Sequence, residues 1–274
     1  MKKVSIQNLG MIVTNKCNLD CAHCMRGCKN SKDMTKEVID ASLNQIIDIG
    51  NLCICGGEPT MALDTIENIF NYIIDNRILL DNVSITINGT IYSPEFLKLL
   101  DYINEYIFKI TNNNGVIFDI SYDDYHKQEL VRLKLLQKYI ENVRRYTKSE
   151  YFYELRKLNP HLKLFREGNA EYLDESLTVN LRPDEIFVTY VDNRAKFDRE
   201  NGLCNIGPLI TVNPDGIITE CDSSILHQET IYNYGNVFDN SIEEVALKRG
   251  LVLTPRKWNK ACKKEVKKVT SYNK

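Results

Sequence analysis

The sequence has no run of apolar residues close to the roughly 20 that a membrane-crossing helix needs, so no helical span is read in it. Its opening residues, Met1-Lys2-Lys3-Val4-Ser5-Ile6, show neither an apolar signal-peptide core nor a small-residue cleavage site, and a cytoplasmic location is the expectation. A charge excess is missing as well. The formal net charge is −2 over 274 residues, which gives the molecule as a whole no electrostatic preference for nucleic acid or membrane. There is no internal repeat and no low-complexity segment. The length suits one large domain, or one domain with a small appendage.

Cysteine is what the chain has in quantity. Nine residues is a high count, and an odd one, which fits a disulfide framework poorly. Without a secretory signal the better readings are metal ligation or reactive thiols. Cys17, Cys21, Cys24 and Cys28 lie together, Cys53 and Cys55 form a pair, and Cys204, Cys221 and Cys262 are spread through the last third.

Between these groups the first half alternates short apolar strands with amphipathic helices. Strands are predicted at 8–13, 52–55, 83–87 and 115–121. Helices are predicted at 36–49, with Thr35 as N-cap, at 62–76, and from Ser93-Pro94-Glu95, which has the N-cap, first-turn proline and acid of a helix start. Such βα units imply a parallel sheet with helical crossovers, closed or partly closed into a TIM-like barrel whose site gathers at the C-terminal ends of its strands. From 124 onward the pattern changes. One long helix is expected at 128–147 and a second at 150–158, then a strand at 186–191, a hairpin at 209–219 around Asn213-Pro214-Asp215-Gly216, and a short helix at 241–249. From Lys248 to Lys274 there are ten Lys or Arg against one Glu, about +9, with about −11 on the rest. That segment could offset the charge of a thiolate-bound cluster, attract an acidic donor or an anionic substrate, or simply be solvated.

Three thiolates on one short loop can ligate three irons of a cubane cluster and leave the fourth open to a small molecule. Soft thiolates also suit zinc, but zinc usually takes paired CxxC knuckles, which the spacing of Cys17, Cys21 and Cys24 lacks. Gly56-Gly57-Glu58-Pro59 on its own is compatible with an ordinary strand-to-helix turn. Cys28 reads as a loop thiol. Cys53 and Cys55 fall on one strand face and read as core, with Cys55 near enough to Gly56 to reach a cavity rim. His126 is either a surface residue or faces a substrate.

Thr14-Asn15-Lys16-Cys17-Asn18-Leu19-Asp20-Cys21-Ala22-His23-Cys24 resembles the signature loop of the radical S-adenosylmethionine (SAM) superfamily, with His23 where that family usually has an aromatic. Gly56-Gly57-Glu58-Pro59 matches the family's GGEP element at the end of the second strand. The resemblance implies an α/β fold, a partial (β/α)6 TIM-like barrel over 1–200 with a helical insertion at about 124–182. It implies a [4Fe–4S] cluster on Cys17, Cys21 and Cys24, and bound SAM. In the family the Gly-Gly backbone and the Glu58 position grip the SAM amino group. His23, Pro59, Asn88, Ser121 and Asp123 fall where SAM is contacted, the carboxylate or ribose in the case of the last three.

Cys204, Gly216 and Cys221 follow a C-x(11)-G-x(4)-C pattern that resembles the opening of a twitch or SPASM extension, here a β-hairpin and helix over 201–274. Cys204, Cys221 and Cys262 would then bind an auxiliary Fe–S cluster, or the extension is degenerate and they are ordinary thiols. The expected activity is reductive cleavage of SAM to a 5′-deoxyadenosyl radical that takes hydrogen from a peptide, with a flavodoxin- or ferredoxin-type electron donor. The short stretch before the first strand, with no room for a leader-binding domain, weakens the peptide expectation. The alternatives are dehydrogenation or epimerisation of a small metabolite such as an aminoglycoside, where a cysteine thiol could return hydrogen. A non-catalytic Fe–S or zinc protein is the remaining alternative. No nucleic-acid partner is expected.

Overall fold

The computed structural model describes residues 4–27, 29–148, 153–158, 163–166, 168–179, 210–219 and 233–248. Cys28, Cys204, Cys221, Cys262, the strand expected at 186–191 and residues 249–274 lie outside the described residues.

The chain begins β1 (Val4–Ile12), α1 (Lys36–Leu43), β2 (Ile46–Cys55), α2 (Leu63–Asp75), β3 (Leu79–Ile87), α3 (Pro94–Thr111) and β4 (Val116–Ser121). It continues with α4 (Asp124–Arg132), α5 (Leu136–Tyr146), β5 (Tyr153–Arg156), β6 (Leu164–Phe165), β7 (Thr178–Val179), β8 (Ile210–Val212), β9 (Ile217–Thr219), β10 (Gly235–Asn236) and α6 (Ile242–Lys248). Eight strands form one sheet in the order β10-β9-β8-β1-β2-β3-β4-β5, while β6 and β7 pair separately. From β8 to β5 every pairing is parallel; β9 and β10 are antiparallel additions at one edge. The α/β class and the parallel sheet are as expected. Among the described residues the sheet is open, with β8 running beside β1.

Sequence explains the layers. The central strands are apolar on both faces, as parallel strands under helices must be: Ile6, Leu9, Met11, Ile12, Ile49, Leu52 and Ile54 are all essentially inaccessible. Helix α2 buries Ile66, Ile69, Phe70 and Ile73, and α3 buries Phe96, Leu100, Ile103, Ile107 and Ile110, each a stripe at three- and four-residue spacing. Thr35 and Ser93 cap α1 and α3 as predicted, accepting from Val38 N–H and Phe96 N–H.

Three predicted elements differ. The helix at 36–49 ends at Leu43, because Ile46 onward joins β1 with Val4 opposite Ile46, and Ile46 and Ile47 alternate buried and exposed as in a strand. β-Branched residues at ambiguous spacing followed the sheet. The helix at 128–147 is two helices. Lys134 is left-handed (φ 57°), and the 2.7 Å bond from Leu135 N–H to Leu130 O closes α4 with a Schellman turn. The segment expected as a helix at 150–158 contains β5 instead, with Tyr153 to Arg156 opposite Phe118 to Ser121. The described part of 153–179 thus holds β5, β6, β7 and the 3-10 turn Gly168–Tyr172, with no α-helix. The hairpin turn at Asn213 to Gly216 is as read, and its strands continue the main sheet.

Because β1 to β4 are parallel, the loops leaving them emerge at one edge. That edge carries Cys17, Gly56, Asn88 and Ser121.

Candidate metal and cofactor site

The loop after β1 is closed at its base. Asn15 N–H donates to Lys32 O (2.9 Å), Met34 N–H to Val13 O (2.9 Å), and Asp33 accepts from the Thr14 hydroxyl (2.6 Å) and pairs with Lys16 Nζ (2.5 Å). The turn after β2 lies directly on it. Gly57 N–H donates to Thr14 O (2.7 Å) and Glu58 N–H to Lys16 O (2.6 Å). A Cβ on Gly57 would lie 2.1 Å from Lys16 O, so only glycine allows this approach. Pro59 then opens a buried 3-10 turn, Pro59–Met61.

Asn88, leaving β3, donates to Asn18 Oδ1 (2.8 Å) and faces Cys17 Sγ at 3.9 Å, while its Oδ1 accepts from Thr90. Glu58 is 1% exposed. It accepts from Asn88 N–H (2.7 Å), Thr60 N–H (3.1 Å) and the Thr60 hydroxyl, so it ties the exit of β2 to that of β3. Burial pushes its pKa up, against the pull of those hydrogen bonds.

The second half of the loop is held from downstream. Asp20 N–H donates to Glu129 of α4 (3.1 Å), and Glu129 is gripped by Arg132 through two bonds. Asn169, in the 3-10 turn Gly168–Tyr172, donates from Nδ2 to Cys21 O (3.0 Å) and Asp20 Oδ1 (3.3 Å), and from its N–H to Cys24 O (2.8 Å). His23 stacks on Tyr125 (4.8 Å) and meets His126 edge-on (5.0 Å). Asp123 caps α4, binds His126 Nδ1 at 2.6 Å, and lies 3.5 Å from His23 Nε2. Burial lowers the His23 pKa to about 4, so its ring is neutral near pH 7. Burial opposes ionisation of Asp123, yet its bonds to His126 hold it at about 2. Ser121 stands half-buried at the end of β4, its carbonyl accepting from Tyr139 (3.4 Å).

Cys17, Cys21 and Cys24 are free thiols, Cys21 the most buried. Burial raises the pKa of Cys17 and Cys21, and for Cys21 the neighbouring Cys17 and Cys24 add to it. A bound cation reverses that balance and takes the thiolate. Cys17 and Cys24 line an open pocket with Asn15, Leu19, Arg26, Gly56 and Gly57, enclosing about 400 Å³ of empty space, open solvent included. Asn15 is 4% exposed, and neither its Oδ1 nor its Nδ2 has a hydrogen-bond partner. A buried amide left in that condition costs about 1–3 kcal/mol per group. Potential ligand atoms of Cys21, His23 and His126 lie within 4.8 Å of one another. Asp123 hydrogen-bonds the His126 imidazole and lies 3.5 Å from that of His23, whose Nδ1 has no partner. Cys55 packs against Ile12 with its Sγ 3.8 Å from Met11 O, and neither Cys53 nor Cys55 lines the pocket.

The sequence pattern described as the Radical SAM superfamily matches residues 11–153, more than half the chain. The chain belongs to the radical SAM superfamily. A probable GTP 3′,8-cyclase of Methanocaldococcus jannaschii is 37% identical over 101 residues, 35% of this chain and 33% of that protein. An uncharacterized protein of the same organism is 34% identical over 74 residues, 26% of each. The matched stretches span a third or less of those relatives. Among solved structures, native anSMEcpe with bound AdoMet and Cp18Cys peptide aligns over 88% of this chain and 80% of its own, at 18% identity and a TM-score of 0.48. SuiB of Streptococcus suis bound to its precursor peptide SuiA aligns over 88% and 64%, at 14% identity and a TM-score of 0.43.

The superfamily's cofactors are a [4Fe–4S] cluster and SAM, and the residues present fit them. Three soft ligands free of disulfides sit on one loop, a glycine pair is pressed against it, and a residue lining the pocket between them carries a buried, unpartnered amide. Sequence reading missed Asn15, Glu129 and Asn169. Asn15 stood within the signature loop, where only its lack of partners in the folded protein marks it; nothing around the other two linked them to it.

Among the described residues no helix is long and apolar enough to cross a membrane.

Proposed function

We propose that the chain is a catalytic radical SAM enzyme that modifies a peptide. One observation carries the catalytic reading: the free thiols of Cys17 and Cys24 and the Gly56-Gly57 backbone meet around one pocket. When bound, the cluster and SAM supply one-electron cleavage of the sulfonium and a carbon radical that abstracts hydrogen. Cys17, Cys21 and Cys24 would ligate the cluster, and Gly56 and Gly57 would bring backbone against the SAM amino-acid end. Asn88 and Asn169 hold the loop through hydrogen bonds to Asn18, Asp20 and Cys21. The His23 and His126 rings, with Asp123 behind them, stand beside Cys21.

The peptide reading rests on the resemblance of Cys204, Gly216 and Cys221 to a twitch or SPASM opening, a type of extension that often accompanies peptide modification. Cys204, Cys221 and Cys262 would hold an auxiliary cluster. A second reading, a small-molecule substrate, is favoured by the stretch 37% identical to a protein named for a nucleotide reaction.

Anaerobically reconstituted protein given a strong reductant and SAM should release 5′-deoxyadenosine, and Cys17→Ala should abolish release. Protein with a verified reducible cluster that releases none sinks the catalytic reading. Iron content separates the extension readings: about four per chain means one cluster, about seven or eight means two.

A further inference from the structure

We propose that Asn15 reads the amino-acid end of SAM, its Nδ2 donating to the carboxylate and its Oδ1 accepting from the ammonium. The proposal rests on the SAM-binding reading above and assigns a residue that is neither a cysteine ligand nor part of the Gly-Gly-Glu-Pro element.

The argument starts from what Asn15 does not do. Its main chain already fastens the loop through the bond to Lys32 O, so its side chain is not needed for that. The side chain is buried all the same, with both amide atoms unpartnered, on the wall of the pocket that Cys17, Cys24, Gly56 and Gly57 line. Interiors seldom leave such groups unanswered, and the exceptions call for a ligand or a reaction.

The ligand's chemistry follows from which atoms are orphaned. An amide edge presents one acceptor and one donor side by side. Cluster sulfurs only accept, so they would leave Oδ1 unanswered. A metal ion would leave Nδ2 unanswered. An α-amino acid has an ammonium and a carboxylate on one carbon and answers both. Arg26 and Lys29 line the same pocket and bring positive charge to it, Lys29 while 3.4 Å from Asp20 Oδ1.

Glu58, the expected ammonium acceptor, is placed differently. Its oxygens take Asn88 N–H, Thr60 N–H and the Thr60 hydroxyl, and it is not among the residues lining the pocket. The geometry therefore makes Glu58 the tie between two strand exits and leaves Asn15 as the pocket-lining residue whose amide is unanswered.

The test uses the full chain, anaerobically loaded with its cluster, as wild type, Asn15→Leu, Asn15→Ala and Asn15→Asp. Equilibrium binding is measured for SAM, for decarboxylated SAM, and for methylthioadenosine, which lacks the amino-acid end. Asn15→Leu should weaken SAM about ten- to a hundredfold, the worth of hydrogen bonds to charged groups. It should change methylthioadenosine binding less than about twofold and raise the melting temperature of SAM-free protein, because a leucine leaves no orphaned amide. Asn15→Ala should repeat the ligand pattern without the thermal gain. Asn15→Asp keeps an acceptor and loses the donor, so it should weaken SAM more than decarboxylated SAM.

Equal losses for SAM and methylthioadenosine would overturn the proposal, since they indicate a damaged pocket. Unchanged SAM affinity in Asn15→Leu would overturn it too. So would a shifted cluster midpoint potential without SAM together with unchanged SAM affinity, which assigns Asn15 to a cluster sulfur. Wild-type protein that carries its cluster yet binds no SAM sinks the functional reading itself and is told apart by the wild-type arm alone.

Discussion

The limb of the cysteine loop that carries Cys17 is fastened by backbone bonds to the adjoining turn and by the side chains of Asp33 and Asn88, whereas the limb that carries Cys21 and Cys24 is fastened largely by side chains from farther along the chain. Thr14 O and Lys16 O receive N–H groups from Gly57 and Glu58, one βα unit away. Asp20 and Cys21 are met by Glu129 and by Asn169, 109 and 148 residues on. The base of the first limb is therefore closed once β1 and β2 have paired, and Asn88 from the exit of β3 then reaches Asn18 and Cys17. The second waits for α4 and for the 3-10 turn beyond β6. The same loop thus has a local half and a non-local half, and the thiols are spread across both.

The strongest test of this contrast is Gly57→Ala. The new Cβ would lie 2.1 Å from a backbone oxygen that cannot swing aside, so the two turns must part. A cost of about 3 kcal/mol, the upper end for overpacking, is expected. Reconstituted protein should lose most of its iron, with denaturant midpoint and iron per chain as the readouts. Near-normal loading would mean that the first limb does not depend on this approach.

Gly168→Ala is the matching test on the second limb. Gly168 has φ 56°, and its Cβ would stand 2.4 Å from Met25 O and 2.6 Å from Cys24 O. The expected loss of stability is smaller, about 2 kcal/mol, because the turn that carries it is short and can yield. Hydrogen exchange should quicken at residues 20–25 and stay slow at 13–17. Equal acceleration in both stretches would show that the limbs open together and remove the distinction.

Asn169→Ala removes two side-chain bonds and leaves the 2.8 Å main-chain bond to Cys24 O. About 1 kcal/mol is expected, the net worth of such bonds at a partly exposed site. The measurable consequence is slower cluster assembly with an unchanged final iron content. A lower final content would make Asn169 a condition of loading rather than an aid to it.

The two halves also differ in how far sequence alone discloses them. Thr35, Ser93-Pro94 and the turn at Asn213 to Gly216 were legible because local chemistry specifies them. The cysteine spacing and the glycine pair were legible because a motif fixes residue type and order together. Glu129 and Asn169 were not, since nothing near them in the chain marks which loop they meet. Ile46 and Ile47 were read as helical because their spacing fits a helix, and pairing with β1 decided otherwise. Asn15 sat in plain view within the motif, but only the absence of partners in the folded protein marks it.

The smallest expected effect concerns Lys134, which no motif singles out. It is exposed and left-handed, at the position after α4 where glycine is usual. The bonds from Leu135 N–H to Leu130 O and from Lys134 N–H to Val131 O need this conformation, so a non-glycine residue there carries Cβ strain. Lys134→Gly relieves that strain and widens the unfolded ensemble. The balance should be a gain of about 0.5 kcal/mol, read from a denaturant midpoint. Helix α4 supplies Glu129 to the second limb and is capped by Asp123 beside it, so a firmer end to α4 should also slow exchange at Asp20 and Cys21, but not at Thr14 or Lys16. A gain in stability spread evenly over both limbs would show that α4 supports the sheet as a whole and not the half of the loop it touches.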